Sequence, residues 1–121
     1  MPEETKKIDA DYILEQLKKG VEDKAFNDKH AYDAEFWLDT ATKLNLCLYE
    51  EQNKLFLAQQ KLAEKENEIY KTMEKPVMSR VKSLVETTPE WLKFKEQFVK
   101  IKNIEEFIKI SKKRVDVASG F

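Results

Sequence analysis

The sequence predicts an all-α protein: a long helical hairpin with coiled-coil-like heptads, preceded by a short N-terminal helix. Its 121 residues include only 2 glycines and 3 prolines, whereas a compact β-rich domain needs many more turn residues. Apolar residues also recur every seven positions in two long segments, 30–75 and 89–118, and this heptad is the repeat of packed helices. We therefore expect one helical domain, 1–121, that assembles into a homo-oligomer.

Composition restricts the class of protein. Hydrophobic residues make up 41% of the chain, which is too high for a disordered protein. Cys47 is the only cysteine, so an intrachain disulfide is impossible and a reducing compartment is expected. The first ten residues are polar, and no segment approaches the roughly 20 apolar residues of a membrane span. These features predict a cytoplasmic protein.

Residues 1–29 are predicted to form a short helix and a connection. Asp9 or Asp11 can accept hydrogen bonds from the first backbone N–H groups of that helix. Gly20 is expected to end or loosen it. From Val21 to Lys29 the pattern is polar, which indicates a short connection.

Residues 30–75 are predicted to form a long helix, since they contain no glycine or proline. Two apolar columns with heptad spacing run along it, the second through Tyr49, Phe56, Ala63 and Tyr70. Adjacent columns make a face wider than a two-stranded seam requires, which favours packing against more than one helix. The residues predicted at the oligomer interface are Trp37, Leu44, Leu48, Leu55, Leu62 and Ile69.

Pro76 interrupts the long helix, and residues 76–88 are predicted to form a short helix and a turn. Thr88 can cap the following helix, and Pro89 suits its first position. That last helix, 89–118, repeats its apolar residues every seven positions at Phe94, Ile101, Ile108 and Val115. The matching period predicts that the two long helices pair antiparallel.

Residues that could support catalysis are scarce. His30 is the only histidine, and we expect a capping or exposed role for it. Cys47 lies between two leucines and is expected to be a buried thiol. Glycine occurs only at 20 and 120, so a glycine-rich phosphate loop is impossible. We therefore predict no enzymatic activity, and no catalytic, metal or cofactor site.

The basic carboxy-terminal part is the candidate binding region. Residues 76–121 contain 10 Lys and Arg against 6 Asp and Glu, whereas residues 1–75 contain 12 against 17. The predicted nucleic-acid-binding residues of the last helix are Lys93, Lys95, Lys100, Lys102, Lys109, Lys112, Lys113 and Arg114.

Aromatic residues are interleaved with these basic ones, as in proteins that hold single strands. In an alternative interpretation the lysines only face solvent and the aromatic residues form the core. The heptad spacing supports that alternative for Phe94, Phe98 and Phe107, and it leaves Trp91 or Phe121 as candidates for base stacking.

Several segments resemble the phage UvsY family of recombination mediators. In the amino-terminal half these are Leu17-Lys18-Lys19 followed by Val21, and the step Trp37-Leu38 near the start of the long helix. In the carboxy-terminal half, Met78-Ser79-Arg80-Val81-Lys82-Ser83-Leu84-Val85 precedes a polar turn and a Lys-rich helix.

The resemblance implies a ring-forming protein that binds single-stranded DNA during DNA recombination and repair. Its partners would be a recombinase and the single-strand binding protein that this recombinase displaces, in the host cell cytoplasm if the protein is phage-encoded. A basic pair of the family falls near Gln59 and Lys61, where only Lys61 matches. The alternative is a helical structural or inhibitory module, of coiled-coil type, that binds only proteins.

Overall fold

The computed structural model describes residues 9–120, which form helices without any strand. This confirms the predicted all-α class. The five helices are α1 (Ala10–Val21), α2 (Lys24–His30), α3 (Ala34–Thr72), α4 (Met78–Val85) and α5 (Pro89–Ala118). The chain divides into two compact units. Among the described residues, those from 9 to 49 and from 103 to 120 belong to the first unit, and Glu50–Lys102 form the second.

The amino terminus of α1 is set by Asp9. Its carboxylate accepts a hydrogen bond from the backbone N–H of Tyr12 at 3.0 Å, so the cap is Asp9 and not Asp11. Gly20 is buried inside α1, which continues to Val21. A Cβ atom at Gly20 would lie 2.8 Å from the ring of Phe26. Gly20 therefore makes room for that ring instead of ending the helix.

The segment predicted as a connection, 21–29, contains a second helix. Asp23 caps α2 by accepting a hydrogen bond from the N–H of Ala25 at 3.1 Å. The prediction was wrong here because seven residues with one large apolar anchor, Phe26, show no readable helical period.

His30 ends α2 and does not start the long helix. Its side chain is mostly buried, and its ring stacks on Phe36 with the centroids 3.7 Å apart. Its backbone carbonyl accepts a hydrogen bond from Nε1 of Trp37 at 2.8 Å. The structure therefore replaces the expected exposed role with a structural one. The long helix begins later, at Ala34, where Asp33 accepts a hydrogen bond from the N–H of Phe36 at 3.0 Å.

The core of the first unit joins α1 to parts of α3 and α5. Its buried cluster is Ala10, Ile13, Leu17, Trp37, Leu44, Ile104 and Ile108. Trp37 and Leu44 are completely buried within one chain, so we now assign them to this core and not to an interface between copies. Leu48 is half-buried and packs against the same cluster.

The second unit contains α4 and the remaining parts of α3 and α5. Val81 and Val85 are buried on α4. Thr88 caps α5 as predicted, because its hydroxyl accepts a hydrogen bond from the N–H of Trp91 at 3.3 Å. The bounds of α5 coincide with the predicted 89–118. Of the predicted interface residues in this unit, Leu55, Leu62 and Ile69 are half-buried.

Candidate nucleic-acid interface

Helix α5 contains a short internal repeat in the second unit. Trp91-Leu92-Lys93-Phe94-Lys95 is followed seven positions later by Phe98-Val99-Lys100-Ile101-Lys102. Both segments have the order aromatic, aliphatic, lysine, apolar, lysine. Seven residues are almost two helical turns, so equivalent positions share a face about 10 Å apart. The helix therefore presents nearly the same surface twice.

One face of this segment is fixed against α3 through Glu51. The Gln97 amide nitrogen donates to the backbone oxygen of Glu51 at 2.9 Å and to its Oε2 at 2.6 Å. Lys100 Nζ lies 3.2 Å from Glu51 Oε1, and Lys54 Nζ lies 3.1 Å from the same oxygen. The Glu51 side chain is only 3% exposed.

Glu51 stays ionised despite this position. Burial alone would raise its pKa, but the hydrogen bonds from Gln97, Lys54 and Lys100 outweigh it and lower the pKa below the ordinary value. Lys100, one of the predicted DNA-binding residues, therefore balances a buried carboxylate. Its ammonium group is occupied within the unit and is not freely available to a phosphate.

A different face of α5 presents aromatic rings and lysines in alternation. Lys95 Nζ lies 5.5 Å from the centroid of the Trp91 ring, and Lys102 Nζ lies 5.4 Å from that of Phe98. Each pair is four residues apart, so the two side chains are neighbours on the helix surface. We call Trp91, Lys95, Phe98 and Lys102 the aromatic–lysine stripe.

Phe98 is an exposed member of the stripe and does not belong to the core, whereas Trp91 is half-buried. The side chain of Phe98 is 40% exposed, and its ring centroid lies 6.3 Å from that of the half-buried Phe94. This corrects the expectation that Phe98 is a core residue. Phe107, in contrast, packs against the core of the first unit as expected.

Base stacking can compete with the lysine–ring contacts of the stripe. A cation over a ring at an exposed site contributes about 0.5–1 kcal/mol. A nucleobase stacked on an aromatic side chain contributes about 1–3 kcal/mol. A base can therefore displace Lys95 from Trp91 or Lys102 from Phe98, and the released ammonium group can then bind a phosphate.

The other predicted DNA-binding lysines of the second unit are accessible. Lys61 on α3 and Lys93 on α5 are both exposed. Neither lies over an aromatic ring in the described part of the chain. They can add positive charge to this part of the protein.

The basic group at the end of α5 lies in the first unit, and its members differ. Lys109, Lys112 and Lys113 are exposed, and Lys109 lies 3.6 Å from the exposed carboxylate of Glu106. Arg114 is half-buried. Its Nη1 donates to Asn27 Oδ1 at 3.1 Å, and its guanidinium carbon lies 5.1 Å from the centroid of the Trp37 ring. Arg114 thus makes contacts within the unit, and its predicted role in DNA binding stays a prediction.

The stripe cannot be recognised from the apolar heptad period alone, because two of its four residues are lysines. The detectable signal was the spacing of four residues from each ring to a lysine, repeated after seven. Phe121, the other ring considered for stacking, lies outside the described residues.

The described residues also bear on metal binding and on membrane insertion. In residues 9–120, no group of three or more His, Cys, Asp or Glu side chains is arranged to hold a metal ion. None of the helices described for this chain is long and apolar enough to span a membrane. No protein-family model, curated protein or solved structure matches this chain.

Proposed function

We propose that this protein is a non-enzymatic single-stranded DNA-binding protein that contacts the strand through α5. The aromatic–lysine stripe is the observation that carries this proposal. Its exposed ammonium groups suit phosphates, and its rings suit unpaired bases, the two kinds of contact by which single strands are held.

Binding should show little sequence preference. Lysines on phosphates fix the position of a strand without reading its bases, and stacking is possible with every base. The stripe offers no Asn, Gln or Arg side chain for bidentate contacts with base edges. We therefore expect homopolymer and mixed-sequence strands to bind alike.

We further propose that the protein acts as a recombination mediator, loading a recombinase onto single-stranded DNA. This step is supported by the resemblance to the UvsY family, which implies a homo-oligomer with a recombinase and a single-strand binding protein as partners. Its test uses DNA already covered by single-strand binding protein. Added protein should increase the amount of recombinase bound, and no increase would reject the mediator role while leaving DNA binding intact.

The second candidate function is a helical module that binds only proteins. The observation favouring it is an exposed apolar surface on α3 in the second unit. Phe56 and Leu57 are both more than half exposed there, and Tyr70 is also exposed. Such side chains are typical of protein interfaces when they form a continuous patch.

DNA binding by the stripe is tested by charge removal with a matched control. The variant Lys95→Ala/Lys102→Ala removes both lysines of the stripe, and Lys18→Ala/Lys19→Ala removes two exposed lysines from α1. Affinity for a fluorescent oligo(dT) at low salt should fall several-fold in the first variant and stay near the parent value in the second. Equal affinities in both variants would remove the stripe from the proposal, and no binding by the parent would favour the protein-only module.

A further inference from the structure

We propose that the half-buried Trp91 and the exposed Phe98 form two stacking subsites that make the protein select single strands over duplex DNA. This inference rests on the proposed function and specifies how α5 recognises its ligand. Selection and electrostatic attraction then depend on different side chains, so variants can separate them.

The selection follows from which parts of DNA are accessible. In a duplex both faces of a base are covered by its neighbours, so an external side chain reaches mainly phosphates and groove edges. An unpaired base can turn its face to an aromatic ring. Rings at Trp91 and Phe98 therefore strengthen binding to single strands only, whereas lysine contacts strengthen binding to both forms.

The repeat sets the length of strand that fills both subsites. Trp91 and Phe98 are seven residues apart on one helix, a separation of about 10 Å along its axis. Nucleotides advance by at least about 3.4 Å per step, the spacing of stacked bases, so three steps are enough to span the two rings. A strand of about four nucleotides fills both subsites, and a dinucleotide fills one.

The lysines of the stripe are placed to accompany this stacking. Lys95 and Lys102 each lie over the ring four residues earlier. When a base takes the ring face, the ammonium group is released beside that base and within reach of the flanking phosphate. Each seven-residue segment thus supplies one ring and one cation to successive parts of the same strand.

Ring removal tests the inference directly. Trp91→Ala and Phe98→Ala should each lower affinity for a single-stranded oligo(dT) about tenfold. Duplex affinity and salt dependence should be unchanged, because the lysines remain. Leu92→Ala and Val99→Ala serve as controls, since these side chains are 53% and 54% exposed in the same two segments but carry no ring. Both controls should bind like the parent.

Tryptophan fluorescence gives a second measurement. The chain has two tryptophans, and Trp37 is completely buried, so quenching by added oligo(dT) reports on Trp91. Trp91→Phe keeps a ring and should keep single-strand affinity while losing the quenching. Oligo(dT) of four or more nucleotides should bind more tightly than dinucleotides, and Phe98→Ala should reduce that gain.

The outcomes separate this inference from the proposed function. If the parent binds no single strand at low salt, both fail. If it binds, and the ring variants keep the parental ratio of single-strand to duplex affinity, only the stacking inference fails. If ring removal instead lowers the oligomer mass without changing that ratio, the rings belong to a protein interface and the inference is overturned.

Discussion

Gln97 on α5 donates two hydrogen bonds to Glu51 on α3, one to its backbone oxygen at 2.9 Å and one to its carboxylate at 2.6 Å. These two bonds fix the rotation of this part of α5 about the helix axis. Gln97 lies between Trp91 and Lys102 in the sequence but on another face of the helix, so the stripe does not share the face that contacts Glu51. On this fixed helix Lys95, Phe98 and Lys102 are exposed, and Trp91 is half-buried.

Glu51 predicts a dependence of stability on pH. Its pKa is below the ordinary value in the folded protein, so its contribution is present above the unfolded pKa, about 4.3. That contribution is lost as the pH falls through the lower folded value. We expect the free energy of unfolding of the parent, measured with denaturant, to fall between neutral and strongly acidic pH. The same fall should be smaller in Glu51→Gln, which lacks the carboxylate. The exposed neighbour Glu50 provides the control, and a Glu50→Gln variant with the same reduced dependence would contradict this role for Glu51.

Glu51→Gln should also be less stable than the parent at neutral pH. It removes the negative charge that lies 3.2 Å from the ammonium group of Lys100, a side chain that is only 21% exposed. Lost hydrogen bonds to charged groups cost about 1.5–3 kcal/mol. Equal stability of the two proteins at pH 7 would contradict a stabilising role for the Glu51 charge.

Replacing Arg114 with alanine should destabilise the protein more than replacing its neighbour Lys113. Arg114→Ala removes a hydrogen bond to Asn27 and a cation from the Trp37 ring, and we expect a loss of about 1–3 kcal/mol in the free energy of unfolding. Lys113 is exposed, so Lys113→Ala should change it by less than about 0.5 kcal/mol. Thermal and denaturant unfolding measure both, and equal effects would contradict the assignment of Arg114 to the first unit's packing.

Ser111 should be replaceable by alanine with a gain in stability. Ser111 is completely buried, and its hydroxyl has no hydrogen-bond partner among residues 9–120. A buried unpaired polar group costs about 1–3 kcal/mol, which alanine avoids with little loss of volume. Urea unfolding of Ser111→Ala should give a midpoint at or above that of the parent, and a clear loss of stability would mean that the hydroxyl is satisfied in solution.

Self-association should depend on the exposed side of α3. Phe56 is more than half exposed, whereas its neighbour Leu55 is half-buried. If copies pack through this surface, Phe56→Asp should lower the mass measured by light scattering without lowering the melting temperature. Leu55→Asp should lower the melting temperature, because it buries part of a charge. A monomeric parent at micromolar concentration would contradict self-association altogether.

The sequence predicted elements wherever a local signal was strong. Thr88 and Pro89 define the start of α5, and its period placed Ile101 and Ile108 among the buried residues. The period could not show whether Trp37 and Leu44 meet helices of the same chain or of another copy, because heptads are the same in both cases. Nor could it reveal that Phe98 lies at the exposed margin of an apolar face. That depends on which helices cover the face.

The basic residues predicted to bind DNA also depend on contacts that the sequence does not reveal. Lys100 and Arg114 resemble the other basic residues in sequence, but the structure pairs one with Glu51 and the other with Asn27. Long-range contacts of this kind leave no local signal. In contrast, the rings and lysines of the stripe are one helical turn apart, so their proximity could have been predicted from the spacing alone.

The salt dependence of binding to oligo(dT) tests the central claim most directly. Each lysine that neutralises a phosphate of a single strand adds about 0.7 to the slope of log affinity against log salt. We predict tight binding at low salt, a linear decrease with salt, and a slope smaller by about 1.4 in Lys95→Ala/Lys102→Ala. Absence of binding at low salt, or an identical slope in parent and variant, would contradict the assignment of the aromatic–lysine stripe to single-stranded DNA.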